Sequence, residues 1–310
     1  MLNRNRLSKE RSLLRQIDKS IHHSKSFIDS TLHLDHKILS FLTFGKRLRS
    51  KFIIQTNRIK KPSTIIKLGS MTELTHASSL IHDDIVDESN IRRGFPTAFH
   101  LLSIPYASSI GYLLFTVIFL KIIQMKKHFF EHYFQVVKEM CIGQILEIES
   151  LNNQNRSLEE YFKSIKFKTA SLFSFCCGLE ENSWNNANAE IGYRYGMAFQ
   201  ILDDLYDVTL EEKMTDKPIH QDFRSGIITL PFIIMNKMHL KSMNQEVLNH
   251  SKNIALEFLT NKFDCEMSSG WKKDIKLLRD KINQVFYSTS HNQKNMDNNK
   301  NFLLSDQSEE

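Results

Sequence analysis

The sequence predicts an all-α fold, and three observations support this. The 310 residues include only ten glycines and five prolines, so turn and hairpin signals are few. Hydrophobic residues make up 41% of the chain, enough for a substantial core. Apolar residues also recur at helical spacing over long segments. We therefore expect one helical domain over residues 1–287 and a disordered, Asn-rich tail over residues 288–310.

The first helix is expected from Leu7 to Leu42, because isoleucines and leucines recur there at near-helical spacing. The N-terminus is rich in arginine but lacks the apolar core of a secretory signal. A transit peptide is the alternative, and Glu10 together with the continuing helical pattern favours an ordinary helix. The same periodicity predicts seven further helices, over Ile65–Asp83, Ile110–Ile123, Phe130–Leu151, Leu158–Phe175, Ala187–Leu210, Val247–Leu259 and Trp271–Phe286. A basic break, Phe44–Ser50, and a polar loop, Met214–Pro231, interrupt the pattern.

The segment Leu101–Leu120 carries no charge over 20 residues, which is long enough to span a bilayer. It contains Pro105 and Gly111, and only its second half is strongly apolar. These features favour a loop followed by a fully buried core helix over a membrane span.

Charge and cysteine content exclude several classes of protein. The net charge is +6, but the basic residues are scattered, so no nucleic-acid-binding arm is expected. The basic balance suits a phosphorylated substrate or a membrane surface. The four cysteines form no C-x-x-C pair, which argues against a zinc site or disulfide framework and favours a reducing cytosol. We therefore expect a cytoplasmic protein, with peripheral membrane contact compatible with its charge.

Two acidic clusters carry the chemical signal. Each is a triad of aspartates at positions i, i+1 and i+4, and the two triads lie 120 residues apart: Asp83, Asp84, Asp87 and Asp203, Asp204, Asp207. Carboxylates four residues apart on a helix repel each other unless cations bind. Oxygen-only clusters suit Mg²⁺, which completes its shell with water and phosphate oxygens. We expect the triads to hold several Mg²⁺ ions around a diphosphate. The alternative is that each is a solvated helix end.

Basic residues could hold the anion that these metals would bind. They occur in the break, after each triad and before Thr169: Lys46, Arg47, Arg49, Arg92, Arg93, Lys168 and Lys217. Arginine suits bidentate phosphate contacts and lysine suits point-charge contacts. Each is an ordinary surface charge if taken alone. Together with the triads they describe a cavity for two phosphorylated ligands.

Five motifs in order, "GKRLR", "HASSLIHDDIVDESNIRRG", "GQILEIE", "KTASLF" and "GYRYGMAFQILDDLYD", resemble the trans-polyprenyl diphosphate synthases. The resemblance runs from about Phe44 to Pro231. It implies an isoprenoid-synthase-type bundle of antiparallel helices around a central cavity, usually dimeric. It also implies an enzyme that joins an allylic diphosphate to isopentenyl diphosphate.

By this resemblance, both triads bind Mg²⁺ on the allylic diphosphate, and Lys168 joins them as a catalytic residue. The contacts to isopentenyl diphosphate would be Lys46, Arg49, His76 and Arg93. The contacts on the allylic side would be Arg92, Lys168, Thr169, Gln200 and Lys217. His82 is expected to be structural.

Small residues precede the first triad on its helix, and they bear on product length. Ser78 and Ser79 lie one turn deeper than Asp83, where an aromatic side chain would close the cavity. Serine leaves it open, which predicts a product longer than geranylgeranyl, from hexaprenyl to octaprenyl, suited to a quinone side chain. Close helix packing by small residues is the alternative.

Several positions depart from the family pattern. His220 replaces a glycine, Ile227 a phosphate-binding lysine, Tyr112 an aspartate and Ser50 a proline. Losing the cation at 227 weakens diphosphate binding by about 1.5–3 kcal/mol if nothing compensates. These departures leave two alternatives to a self-sufficient synthase: a weakly active or non-catalytic subunit of a heterodimeric synthase, and a class I terpene cyclase. Cyclases generally lack the isopentenyl site, so Lys46, Arg49 and His76 argue against the second.

Overall fold

The computed structural model describes residues 2–32, 45–56, 58–92, 95–209, 221–260 and 269–285. The all-α prediction is confirmed, since the described residues are mostly helical. The helices are α1 Leu2–Leu32, α2 Leu48–Thr56, α3 Pro62–Val86, α4 Ala98–Leu101, α5 Ile104–Ile122, α6 Lys127–Glu149, α7 Leu158–Ile165, α8 Ser171–Gly178, α9 Asn186–Thr209, α10 Gln221–Arg224, α11 Leu230–Lys237, α12 Gln245–Phe258 and α13 Ser269–Asn283. The predicted tail, residues 288–310, lies outside the described residues.

Helix starts follow local signals in the sequence. Ser157 caps α7 with a capping box, in which its hydroxyl accepts from the Glu160 amide and the Glu160 carboxylate accepts from the Ser157 amide. Ser103 caps α5, and Pro105 occupies the first turn, where a missing N–H costs nothing. The helix therefore begins at Ile104, earlier than the predicted Ile110.

The prediction that this apolar helix is fully buried is wrong. Only 28% of the apolar window of α5 is buried, and it is the one described helix long and apolar enough to cross a membrane by length and composition. Ile110, Leu114 and Ile118 pack into the core. On the other face, Tyr112 is 66% exposed and Leu120 is 56% exposed. Helix α5 therefore presents an apolar face to the outside of this chain.

Several short elements were not predicted, among them the four-residue helices α4 and α10, the second of which lies in the predicted polar loop. Helix α2 falls within and after the basic break, and its Phe52 and Ile53 are buried. A two-stranded antiparallel hairpin follows the first triad, formed by β1 Ile91–Arg92 and β2 Phe95–Pro96. All of these elements are short, so hydrophobic periodicity gives almost no signal for them.

The core packs α3 and α9, which carry the two triads, together with α2, α6, α8 and α13. Edge-to-face aromatic contacts join α2 to α8, α9 and α13, with Phe52 at the centre and Phe173, Tyr195 and Trp271 around it. Helices α3 and α6 are bridged by a buried hydrogen bond of 2.7 Å between the hydroxyls of Thr75 and Tyr133. Buried packing on this scale holds the helix faces in fixed register beneath the candidate site.

Candidate active site

The first triad lies at the C-terminal end of α3, followed by the hairpin. Arg92 Nε on β1 donates to Asp84 Oδ1 at 2.5 Å, and both side chains are buried. Burial alone would lower the pKa of Arg92, but the Asp84 and Asp83 carboxylates outweigh it and raise that pKa. Asp83 and Asp87 are half-buried. The triad therefore combines one buried carboxylate, paired with Arg92, and two half-buried carboxylates.

Lys168 joins this triad to α6. Its Nζ donates to Glu147 Oε1 and lies 3.5 Å from Asp83 Oδ1. Burial lowers the pKa of Lys168, but Asp83 and Glu147 outweigh it, so the net shift is upward and the ammonium stays charged. The sequence analysis assigned no role to Glu147, although the quoted motif "GQILEIE" contains it.

The backbone around Lys168 explains why the "GQILEIE" motif begins with a glycine. Lys168 lies on a π-helical turn, Lys166–Ala170, inserted between α7 and α8. Such turns are rare and are frequent at functional sites. A Cβ at Gly143 of α6 would lie 2.2 Å from the Lys168 backbone nitrogen. Glycine is therefore required for α6 to meet the π-turn, and Glu147, four residues later, faces the same way.

The second triad shows a similar combination. Asp204 is buried on α9 and accepts hydrogen bonds from Tyr161 OH at 2.5 Å and Gln200 Nε2 at 2.9 Å. Thr169 Oγ1 on the π-turn donates to Gln200 Oε1 at 2.7 Å. Burial raises the pKa of Asp204 to about 7. Asp203 is exposed and Asp207 is half-buried.

The π-turn connects the two triads. Lys168 reaches Asp83 on one side, and the adjacent Thr169 reaches Asp204 through Gln200 on the other. The Glu147 carboxylate raises the pKa of both Lys168 and Asp204. The triads therefore border one region of the fold.

The donor chemistry fits a divalent cation held together with a phosphorylated ligand. Beside the buried Asp84 and Asp204, the two triads carry four less buried carboxylates, those of Asp83, Asp87, Asp203 and Asp207. Within the described ranges, no group of three or more His, Cys, Asp or Glu side chains could hold a metal by itself. Mg²⁺ commonly takes one or two carboxylates and completes its shell with water and phosphate.

The other predicted contacts are dispersed around this region. Arg49 is buried with its guanidinium carbon 4.7 Å from the centre of the Phe173 ring. Lys46 is exposed, and His76 is half-buried on α3. Arg93 and Lys217 lie outside the described residues, as does the variant position His220.

His82 packs against α5. Its ring centre lies 5.5 Å from that of Tyr112, and a Cβ at Gly111 would lie 2.5 Å from its Nε2. Burial lowers the pKa of His82, with Asp83 opposing the shift. These contacts agree with the expected structural role.

The two serines before the first triad have different surroundings. Ser78 is fully buried, and its hydroxyl donates to the Gly111 carbonyl of α5 at 2.9 Å. Ser79 is half-buried, donates to the His76 carbonyl, and shares a helix face with Asp83. Ser78 thus makes a helix–helix contact, while Ser79 lies on the side of the triad.

Two departures from the family pattern have local explanations. The Ser50 amide and hydroxyl both donate to Glu73 Oε1 at 3.0 Å, and a proline has neither donor. Ile227 is buried, so an apolar contact stands where the family pattern has a cation.

Comparison with known proteins decides the family. The sequence model described as polyprenyl synthetase matches residues 34–257, more than half of the chain. The chain belongs to the polyprenyl synthetase family. It is 30% identical over 247 residues to heptaprenyl diphosphate synthase component 2 of Bacillus subtilis, covering 71% of this chain and 69% of the relative. It is 30% identical over 272 residues to a short chain isoprenyl diphosphate synthase of Methanocaldococcus jannaschii, covering 82% and 78%.

Solved structures agree on the fold. Heptaprenyl diphosphate synthase of Staphylococcus aureus superposes with a TM-score of 0.77 at 20% identity, covering 89% of this chain and 98% of that one. A polyprenyl synthase of Caulobacter crescentus, complexed with calcium and isoprenyl diphosphate, gives 0.72 at 20% identity, covering 92% and 96%. The predicted family and its prenyltransferase activity are confirmed, and neither the cyclase nor the non-catalytic alternative is favoured.

The close approach at Gly143 gives a prediction. Gly143→Ala will reduce the rate of prenyl transfer by at least about 10²-fold, because the added methyl displaces the π-turn that carries Lys168. Product formation by the purified variant measures this, and circular dichroism confirms folding. Lys138→Ala, at an exposed position on the same helix, is the control. A folded Gly143→Ala variant with normal turnover would contradict the account.

Proposed function

We propose that this chain elongates an allylic diphosphate with isopentenyl diphosphate to a medium- or long-chain all-trans polyprenyl diphosphate, releasing diphosphate. The observation that carries the proposal is the π-turn, which extends Lys168 to one aspartate triad and Thr169 to the other. We also propose Mg²⁺ as the metal, because the available donors are hard carboxylate oxygens.

In this mechanism Asp83, Asp87, Asp203 and Asp207 would hold the metal, whose positive charge would stabilise the departing diphosphate. Asp84 and Asp204 act indirectly, since Arg92, Tyr161 and Gln200 keep them in place. Lys168 donates to the diphosphate as negative charge accumulates on it.

The bond changes balance without a side-chain base. The allylic C–O bond breaks and its electron pair leaves with diphosphate. The isopentenyl double bond attacks the allylic carbon, a C–C bond forms, and the lost proton goes to the released diphosphate. Arg49, Lys46 and His76 are proposed to bind the isopentenyl diphosphate. Arg49 is held for this role by its contact with Phe173, while Arg93 and Lys217 stay predictions.

A product assay tests the activity. The purified chain, given Mg²⁺, labelled isopentenyl diphosphate and farnesyl diphosphate, is expected to form elongated prenyl diphosphates. Asp83→Ala and Asp203→Ala should each lower turnover by at least about 10²-fold, because each removes a carboxylate proposed to hold the metal. Glu190→Ala, on the same helix as Asp203 and paired with Arg194 one turn later, is the matched control. A folded wild-type chain that makes no product alone would refute self-sufficiency and point to a missing subunit.

We propose that the growing product descends between α3 and α6, past Ser79. Thr75 lies eight residues before Asp83, about 12 Å along the helix. Its hydroxyl meets Tyr133, and both side chains are buried. The pair spans the space between the helices, so a hexaprenyl to octaprenyl chain must move it or pass beside it.

Removing the barrier should lengthen the product. Tyr133→Ala is expected to shift the chain-length distribution upward, because it opens space below Ser79. Tyr133→Phe keeps the ring and is expected to preserve the wild-type distribution. Chromatography of the dephosphorylated products measures both. Identical products from Tyr133→Ala and wild type would exclude the pair as a determinant of length.

We also propose that the chain works as a dimer through α5 and α6. The two helices touch at Phe119 and Phe134. Exposed apolar residues on them include Tyr112, Phe119, Leu120, Ile142, Ile145 and Ile148. An apolar surface of this kind marks an interaction site. The partner is a second copy or, as the names of two relatives called component 2 suggest, a different subunit.

A charge on this face tests the dimer. Ile145 is 53% exposed, so Ile145→Glu should leave the fold intact while placing an unpaired charge in the interface. Sedimentation is expected to give a dimer for wild type and a monomer for the variant. Lys138→Glu, at an exposed polar position of the same helix, is expected to remain dimeric. A monomeric wild-type chain would refute self-association and leave only a different subunit.

A further inference from the structure

Arg156, just before α7, is a buried cation that the mechanism has not used. It is 4% exposed, and its guanidinium donates to the Ile228 carbonyl at 2.9 Å and to Ser164 Oγ at 2.5 Å. Within the described part of the chain, both hydrogen-bond partners are neutral. Burial lowers the pKa of Arg156, with Glu147 as the leading group opposing that shift. Burying a charge on neutral partners is costly, so its position calls for a functional explanation.

One side of Arg156 fixes Tyr161. The guanidinium carbon lies 5.6 Å from the centre of the Tyr161 ring. Ser164, which accepts from Arg156, donates in turn to the Tyr161 carbonyl at 2.9 Å. Arg156 therefore holds both the ring and the helical turn of the residue whose hydroxyl binds Asp204.

Arg156 also contacts the segment 225–228, through its hydrogen bond to the Ile228 carbonyl. Two further hydrogen bonds hold this segment: Ser225 Oγ donates to the Asp87 carbonyl at 3.1 Å, and the Asn152 amide donates to the Gly226 carbonyl at 2.8 Å. Hydrogen bonds thus link Asp87, at the end of the first triad, to segment 225–228, and this segment to Arg156 beside Tyr161, which supports Asp204 of the second triad.

We propose that Arg156 is a positioning residue that sets the spacing of the two triads for a divalent cation and diphosphate. It acts through Tyr161 on Asp204, and through segment 225–228 on the end of α3. The inference rests on the proposed function, in which the triads hold the metal. Asp204 lies between the proposed ligands Asp203 and Asp207 on α9, so holding Asp204 in place also fixes the turn that carries them. Residues that orient metal ligands typically change metal affinity or activity about 10–100-fold when removed.

The test measures binding without turnover. Calorimetric titration of the full chain with Mg²⁺ and inorganic diphosphate is compared for wild type, Arg156→Met and Arg156→Lys. Arg156→Met is expected to weaken binding at least about 10-fold and to raise the Mg²⁺ concentration needed for turnover. The KM for isopentenyl diphosphate should stay unchanged. Arg156→Lys, which keeps the charge and one donor, should recover part of the loss. Arg194→Met, which removes a half-buried arginine of an i,i+4 pair on α9, is the control.

Tyr161→Phe covers the case in which Arg156→Met does not fold. It removes only the hydroxyl that binds Asp204, and the same loss of binding is expected. A folded Arg156→Met or Tyr161→Phe variant with wild-type binding would overturn the inference. Wild-type protein that binds no Mg²⁺ and diphosphate would refute the proposed function itself, which separates the two failures.

Discussion

Repulsion among carboxylates is the constraint on which the rest of this structure depends. Six aspartates and Glu147 border one region, and the repulsion is least screened for Asp84, Asp204 and Glu147, whose side chains are buried. The buried aspartate of each triad accepts hydrogen bonds inside the fold. Arg92 donates to Asp84, and Tyr161 and Gln200 donate to Asp204. The remaining aspartates of the triads are half-buried or exposed. The positive charge of Lys168, which lies between Asp83 and Glu147, offsets part of the negative charge of these carboxylates.

The sequence predicted the parts of this arrangement that are local. The triads and most of the long helices are contiguous patterns that lie on the expected type of element. The helix predicted over Leu158–Phe175 is instead interrupted by the π-turn that carries Lys168 and Thr169. Helix α5 was misjudged because uninterrupted hydrophobicity cannot distinguish a buried helix from one with an exposed apolar face. The short helix α2 and the hairpin gave no periodic signal.

The supporting residues could not be predicted, because their partners are distant in the chain. Tyr161 is 43 residues from Asp204, and Arg156 is 72 residues from Ile228. In sequence, Arg156 is an ordinary basic residue before a helix cap. Glu147 had a weak signal, since it follows Gly143 by one helical turn in a motif shared with the family. Ser50 shows the reverse case, in which a departure from the pattern makes hydrogen bonds that the usual proline cannot make.

The π-turn has a consequence for how this segment can evolve. A π-turn holds one residue more than an α-turn, so deleting a single residue between 166 and 170 would restore a continuous α-helix from α7 to α8. Each residue of an α-helix turns the chain by about 100°. Such a deletion would therefore rotate Tyr161 away from Asp204, or Lys168 away from Glu147, although the helix itself would remain regular and fully hydrogen-bonded. Side chains here can be exchanged one at a time, but the number of residues is fixed by the need to face two triads at once.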